Sequence, residues 1–194
     1  MLREVTQRSA RWRYGAAMTV APSSLLRTCV LTVACAVLLG AAAAPALVVR
    51  ATPKHITAAG VGAVKLGRTH ASLHGAGLVG RIRSGCELAG PRARGADLRA
   101  PLKGFVDYTQ TAPRKVIDIY VRGGATARGV GIGATQPEVK AAFPKMIVDH
   151  GTESVFGITL LRIPKSDGGR MQFALDLKSK KVTAIGIPYL PFCE

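Results

Sequence analysis

Leu66-Gly67-Arg68-Thr69-His70-Ala71-Ser72-Leu73 and Ile132-Gly133-Ala134-Thr135-Gln136-Pro137-Glu138-Val139 share one plan: an apolar residue, a glycine, a threonine and a closing apolar residue in matching places. They stand 66 positions apart. Further along, Lys115-Val116-Ile117-Asp118-Ile119-Tyr120-Val121 and Lys181-Val182-Thr183-Ala184-Ile185-Gly186-Ile187 keep the same offset. Two blocks about 50 residues apart holding one register indicate an internal duplication.

The second copy has the clearer grammar. Thr135-Gln-Pro-Glu138 forms a capping box, in which the threonine oxygen and the glutamate carboxylate satisfy free N–H groups of a helix start. Pro137 sits in the first turn, where a missing N–H costs little. Val139, Ala142 and Phe143 share a face, and Pro144 closes a short helix. In the first copy Thr69 is the cap and Leu73 the counterpart of Val139, while Gly75, Gly77 and Gly80 shorten the helix. Strands follow. Residues 154–163, 171–177 and 182–187 are β-rich in the second copy, as are 102–109 and 115–121 in the first. Alternation in the last strand places Val182, Ala184 and Gly186 on one face, with Thr183, Ile185 and Ile187 on the other. Each copy therefore reads as a short helix followed by an antiparallel meander, and the whole as an α+β fold of two tandem units. The divisions are a signal segment over 1–46, a linker over 47–55, a first unit over 56–125 and a second over 126–194.

This grammar resembles the β-lactamase-inhibitor-protein-like fold, which also occurs in the small lipoprotein of the outer-membrane assembly machinery (the SmpA/OmlA type). Residues 132–139 carry the resemblance, with a fainter echo in 66–69. The opening Ile56-Thr-Ala-Ala-Gly-Val-Gly62, followed by Val64-Lys-Leu-Gly67, also resembles exported actinobacterial proteins. The resemblance implies a partner bound on a sheet face rather than catalysis.

The amino-terminal region carries an export pattern. Five arginines and one acid precede 22 uncharged residues, 28–49, and Ala44-Pro45-Ala46 supplies a small-residue cleavage site. Cleavage after Ala46 is the favoured outcome, and Met18 is an alternative start. An uncleaved anchor and lipid attachment at Cys35 are the rival outcomes. Each places the remainder beyond the membrane, because the positive flank stays inside.

The 194 residues carry 27 basic and 11 acidic side chains, a net charge of +16, and are 48% hydrophobic. That hydrophobicity excludes a disordered basic tail. Beyond residue 46 the count is 22 basic against 10 acidic, or +12. With few aromatics and an export signal, the charge does not point to nucleic acid. Cys86 and Cys193 are the two cysteines beyond the signal, and an oxidising compartment favours their pairing. Such a bridge stabilises by about 4–5 kcal/mol on the chain-entropy argument.

Candidate chemistry is sparse. His70 and His74 have the i, i+4 spacing of a metal pair but no third ligand in sequence, so no metal or cofactor is assigned. Asp149-His150 fits a turn better than an acid–base pair. Gly129-Val-Gly-Ile-Gly133 departs from the dinucleotide fingerprint in its third glycine and reads as a structural turn. No nucleophile–base order and no close carboxylate pair emerges, which argues against an enzyme. The remaining signal is basic: Arg81, Arg83, Arg92, Arg94, Arg99 and Lys103 in 23 residues, against Glu87 and Asp97. Arginines suit phosphate or carboxylate forks. The expected function is a non-catalytic binding module, exported to the envelope or the medium. It would dock a protein or anionic envelope component through a sheet face or the basic loop, touching membrane only through an uncleaved leader. A secreted hydrolase inhibitor and a small metal-binding or hydrolytic protein are the alternatives.

Overall fold

The computed structural model describes residues 54–87 and 90–192; the leader over 1–46, most of the linker and Cys193 lie outside the described residues. The fold is mixed α+β, dominated by strands arranged in two sheets. Strand β1 (Lys54–Thr57) begins two residues inside the expected linker. It is recruited by a parallel pairing, Lys54 with Ala125 and His55 with Thr126, that no local pattern announces.

Two small hairpins flank β1. The first joins β2 (Gly60–Val61) to β3 (Val64–Lys65), before helix α1 (His70–Gly75). After β4 (Arg83–Ser84), β5 (Arg94–Asp97), β6 (Lys103–Tyr108) and β7 (Val116–Gly123), the second joins β8 (Ala125–Ala127) to β9 (Val130–Gly131). Their pairings match at the 66-residue offset: Gly60–Lys65 and Val61–Val64 in one, Thr126–Gly131 and Ala127–Val130 in the other. Together with β1 they make a five-stranded sheet.

Each hairpin leads into a helix by the same turn. Gly67 (φ +78°) and Gly133 (φ +89°) adopt left-handed backbone, available to glycine at no steric cost. Their N–H groups donate to the Val116 and Val182 carbonyls, both at 2.8 Å. The caps then bridge to matched partners, Thr69 to Lys115 and Thr135 to Lys181. Ahead of α2 (Gln136–Ala142) the Glu138 carboxylate accepts from the Thr135 N–H and hydroxyl, at 2.6 and 2.7 Å. Ahead of α1 the Thr69 hydroxyl accepts from the Ser72 N–H. Leu73 and Val139, one per helix, are fully buried.

Residues 154–163 do not form one strand. A one-turn helix, α3 (Glu153–Phe156), takes the first part, and β11 (Ile158–Ile163) begins after Gly157, a left-handed residue at φ +65°. Thr152 donates its hydroxyl to the Ile158 carbonyl, holding that corner. With β10 (Ile147–Asp149), β12 (Met171–Asp176) and β13 (Val182–Ile187), the order of the large sheet is β10-β11-β12-β13-β7-β6-β5-β4. Two four-stranded meanders thus meet through their last strands. In that seam Gly186 faces Tyr120, Ile185 faces Val121 and Ile187 faces Ile119. Gly186 and Tyr120 are themselves 66 apart, so they lie on a local two-fold axis that exchanges the flanking pairs.

One sheet face, with Val106, Ile119, Val121, Leu161, Phe173 and Ile185, packs on both helices and the small sheet as one core. Val182 joins that core alongside Ile185 and Ile187, contrary to simple alternation. The cause is a register shift between Ala174 and Leu175 opposite it. On the other face Leu160, Ala174 and Ala184 are covered by Leu190, with Phe192 and Tyr120 beside them. The carboxy-terminal segment, residues 188–192, is therefore a strap across the second half of the sheet. It is held by Leu190 N–H to Gln172 (2.8 Å), Tyr189 N–H to Asp118 (3.4 Å) and a Phe156–Phe192 ring stack. Gly186 lets the strap turn back, because a Cβ there would overlap the Tyr189 carbonyl oxygen. Gly186→Ala is expected to lower unfolding free energy by about 2 kcal/mol, as overpacking against backbone does, measured by urea denaturation.

Candidate functional site

The strap leaves the first half of the outer sheet face open. There β4 to β7 turn Arg83, Asp97, Lys103, Phe105, Tyr120 and Arg122 into a shallow hollow of about 470 Å³. Arg83 donates to Asp97 from Nε and Nη2 at 3.1 and 2.8 Å, and its guanidinium lies 5.5 Å from the Phe105 ring centre. Phe105 in turn packs on Tyr120 at 4.8 Å. The ion pair cancels its own charge and is exposed, so it orients Arg83 more than it stabilises the fold. Lys103 and Arg122 are exposed and, among the described residues, have neither an acidic nor a hydrogen-bonding partner. The hollow therefore presents two uncommitted cations beside an aromatic pair.

Its counterpart on the other half is about 410 Å³ and includes Arg162, Arg170 and Tyr189. Here the strap intrudes: Arg170 donates to the Tyr189 hydroxyl at 2.8 Å, and Arg162 is bound to Asp149 at 3.0 Å. Among the described residues this second hollow keeps one cation without an acidic or hydrogen-bonding partner, Lys165, against two in the first.

The six basic residues singled out in sequence do not form one patch. Arg83 and Lys103 converge on the hollow. Arg94 donates to the Pro91 and Ala93 carbonyls, and Arg99 to the Val79 carbonyl, so both serve the backbone. Arg81 and Arg92 are exposed and line neither sheet hollow. Arg122, Phe105 and Tyr120 were missed. Arg122 was within reach, because continuing the alternation of Asp118 and Tyr120 by two residues puts it on the same face.

Sequence also missed a carboxylate pair. Asp107 and Asp118 are direct cross-strand partners on β6 and β7. Such partners carry Cβ atoms about 5 Å apart. Burial raises Asp107 above its ordinary pKa, against the pull of the Arg83 charge and the Cys86 N–H. Burial likewise pushes Asp118 up to about 6, the Tyr189 N–H pulling it back and the Asp107 charge adding to the rise. Neither carboxylate lines the hollow; Asp118 holds the strap.

The histidines take separate roles. His70 and His74 stack at 5.2 Å and both turn a ring N–H toward the Gly80 carbonyl, at 3.1 Å each. Among the described residues no third His, Cys, Asp or Glu joins them. His150 meets Glu153, not Asp149, and Glu153 also accepts from the Thr159 hydroxyl. Cys86 places its Sγ 3.8 Å from the Phe192 carbonyl oxygen, one residue before Cys193. Among the described residues no helix is long and apolar enough to cross a membrane.

No family model, curated protein or solved structure matches this chain.

A raised carboxyl binds its proton more tightly in the folded state than in the unfolded one. Asp118 therefore makes the fold more stable as pH falls from about 7 to about 5. Below about pH 4 the trend reverses, since hydrogen bonds hold Asp149, Glu153 and Asp167 under their ordinary values. Asp118→Asn is expected to flatten the rise between pH 7 and 5. At pH 7 it should add about 1 kcal/mol, discounted for partial exposure, as thermal unfolding across pH would show.

Proposed function

We propose that this chain is an exported, non-catalytic binding module of two tandem α+β units, using the open half of its sheet to hold an anionic component of the cell envelope. The hollow around Lys103 and Arg122 carries the proposal. Two unengaged cations beside the Phe105–Tyr120 pair suit a carboxylate or phosphate borne on a larger body. The strap supports it by covering the equivalent region of the second half.

The tandem reading is supported by the shared offset of hairpin pairings, helix-entry bonds and cap bridges, and by the Gly186–Tyr120 axis. It is also the arrangement expected from the resemblance to the β-lactamase-inhibitor-protein-like fold. Export rests on the pattern of residues 1–46, with cleavage after Ala46. A Cys86–Cys193 bridge is supported by the position of Cys86 against the strap's last described residue, and would staple the strap to the β4–β5 region.

Replacing Lys103 and Arg122 by glutamate is expected to release the chain from envelope fractions that hold the wild type. The affinity loss should be roughly tenfold and shrink with added salt, read by co-sedimentation across a salt series. Retention unchanged by the double substitution rejects the hollow as the binding site. Stoichiometric capture of a single hydrolase from culture fluid would replace this reading with the inhibitor alternative.

A further inference from the structure

On the opposite side of the molecule the two units differ in a way their shared register makes visible. In the first unit His70, His74 and Tyr108 close the space between α1 and the meander: His70 stacks on His74 and meets Tyr108 edge-on at 5.4 Å. The corresponding stations in the second unit are Gln136, Lys140 and Leu175. The first two follow from the 66-residue offset. The third follows from the pairing of Tyr108 with Val116 and of Leu175 with Val182. Where the first unit has three rings the second has an amide, a lysine and a leucine, with a groove of about 770 Å³ between α2, β10 and β12. That volume is in the range of small-molecule sites.

The groove has two chemically distinct parts. Its floor and wall are apolar: Met146 and Leu175 are buried, Val148 half-buried, and Pro137 stands at the side. Its charged members are Lys140 and Lys180, both exposed, and no acid lines it. Lys140 reaches back over the floor, its Nζ donating to the Met146 carbonyl at 3.4 Å and keeping further N–H donors for another acceptor. Glu153, which feels the charge of Lys180, is already bonded by Thr159 and His150. A peptide is a poor occupant, because each of its residues brings a donor and an acceptor to satisfy. The lining offers little besides Gln136, as the Thr135 hydroxyl is committed to Glu138. A chain without polar groups, ending in one anion, matches both parts.

We infer that the groove between α2 and β12 receives the hydrocarbon tail of a long-chain fatty acid, with its carboxylate held by Lys140 and Lys180. This site is separate from the sheet hollow. The test titrates the full chain with palmitate below its micellar concentration, following displacement of a dansylated undecanoic acid. One equivalent of palmitate is expected to bind. The exposed-site variant Lys140→Glu with Lys180→Glu should weaken binding roughly tenfold. The variant Gln136→His, Lys140→His and Leu175→Tyr, which restores the first unit's rings, should abolish it. Lys103→Glu with Arg122→Glu should leave it intact, which separates this site from the envelope-binding proposal. Absence of displacement by palmitate, or affinity unchanged by the two glutamates, overturns the assignment. So does a dimer in sedimentation that those glutamates dissociate and palmitate does not affect, which would give the groove to a second copy.

Discussion

The seam between β7 and β13 is the constraint on which the rest of the molecule depends. Each of these strands ends its own meander and would be an open edge without the other, with backbone donors and acceptors unpaired. Antiparallel pairing with Gly186 opposite Tyr120 satisfies both edges at once and aligns the two cores into one. The missing side chain at Gly186 matters twice. It gives room for the Tyr189 carbonyl, so the chain reverses immediately, and it leaves the Tyr120 ring free to lean on Phe105 and Leu190's cluster.

From that seam the asymmetry of the outer face follows. The strap can lie on only one half, since it issues from the end of β13 and is pinned by groups on β12 and β7. The half it covers becomes a second apolar core; the half it leaves becomes a cationic surface. Two four-stranded meanders of the same sheet are thus given different faces by a five-residue segment.

The helix entries were legible in the sequence because their determinants are local: a glycine, a threonine cap and, in the second copy, an acid three residues on. The strands of the meanders were legible as β-rich runs for the same reason. What escaped depends on contacts distant in the chain. Strand β1 exists through a partner some 70 residues on, and the facing of Val182 through the extra residue, Thr183, that β13 inserts opposite the Ala174–Leu175 step of β12. The α3 turn was hidden because Ser154-Val155-Phe156 reads as strand, and the left-handed Gly157 and the Thr152 hydroxyl decide otherwise. At the candidate site, counting basic residues in a sequence window found Arg83 and Lys103 but gathered four others that the fold disperses. A hollow built across four strands draws one or two residues from each, so no window contains it.

On the proposed tandem reading, the local two-fold has a mechanical corollary. A single unit, ending in β7, would expose a strand whose best complement is its own copy in antiparallel orientation, an isologous contact that closes after two members. Covalent linkage of two such units makes that contact intramolecular and independent of concentration. It also lets the two halves differ, so that rings present beside α1 and absent beside α2 are variations a strictly symmetric dimer could not have carried.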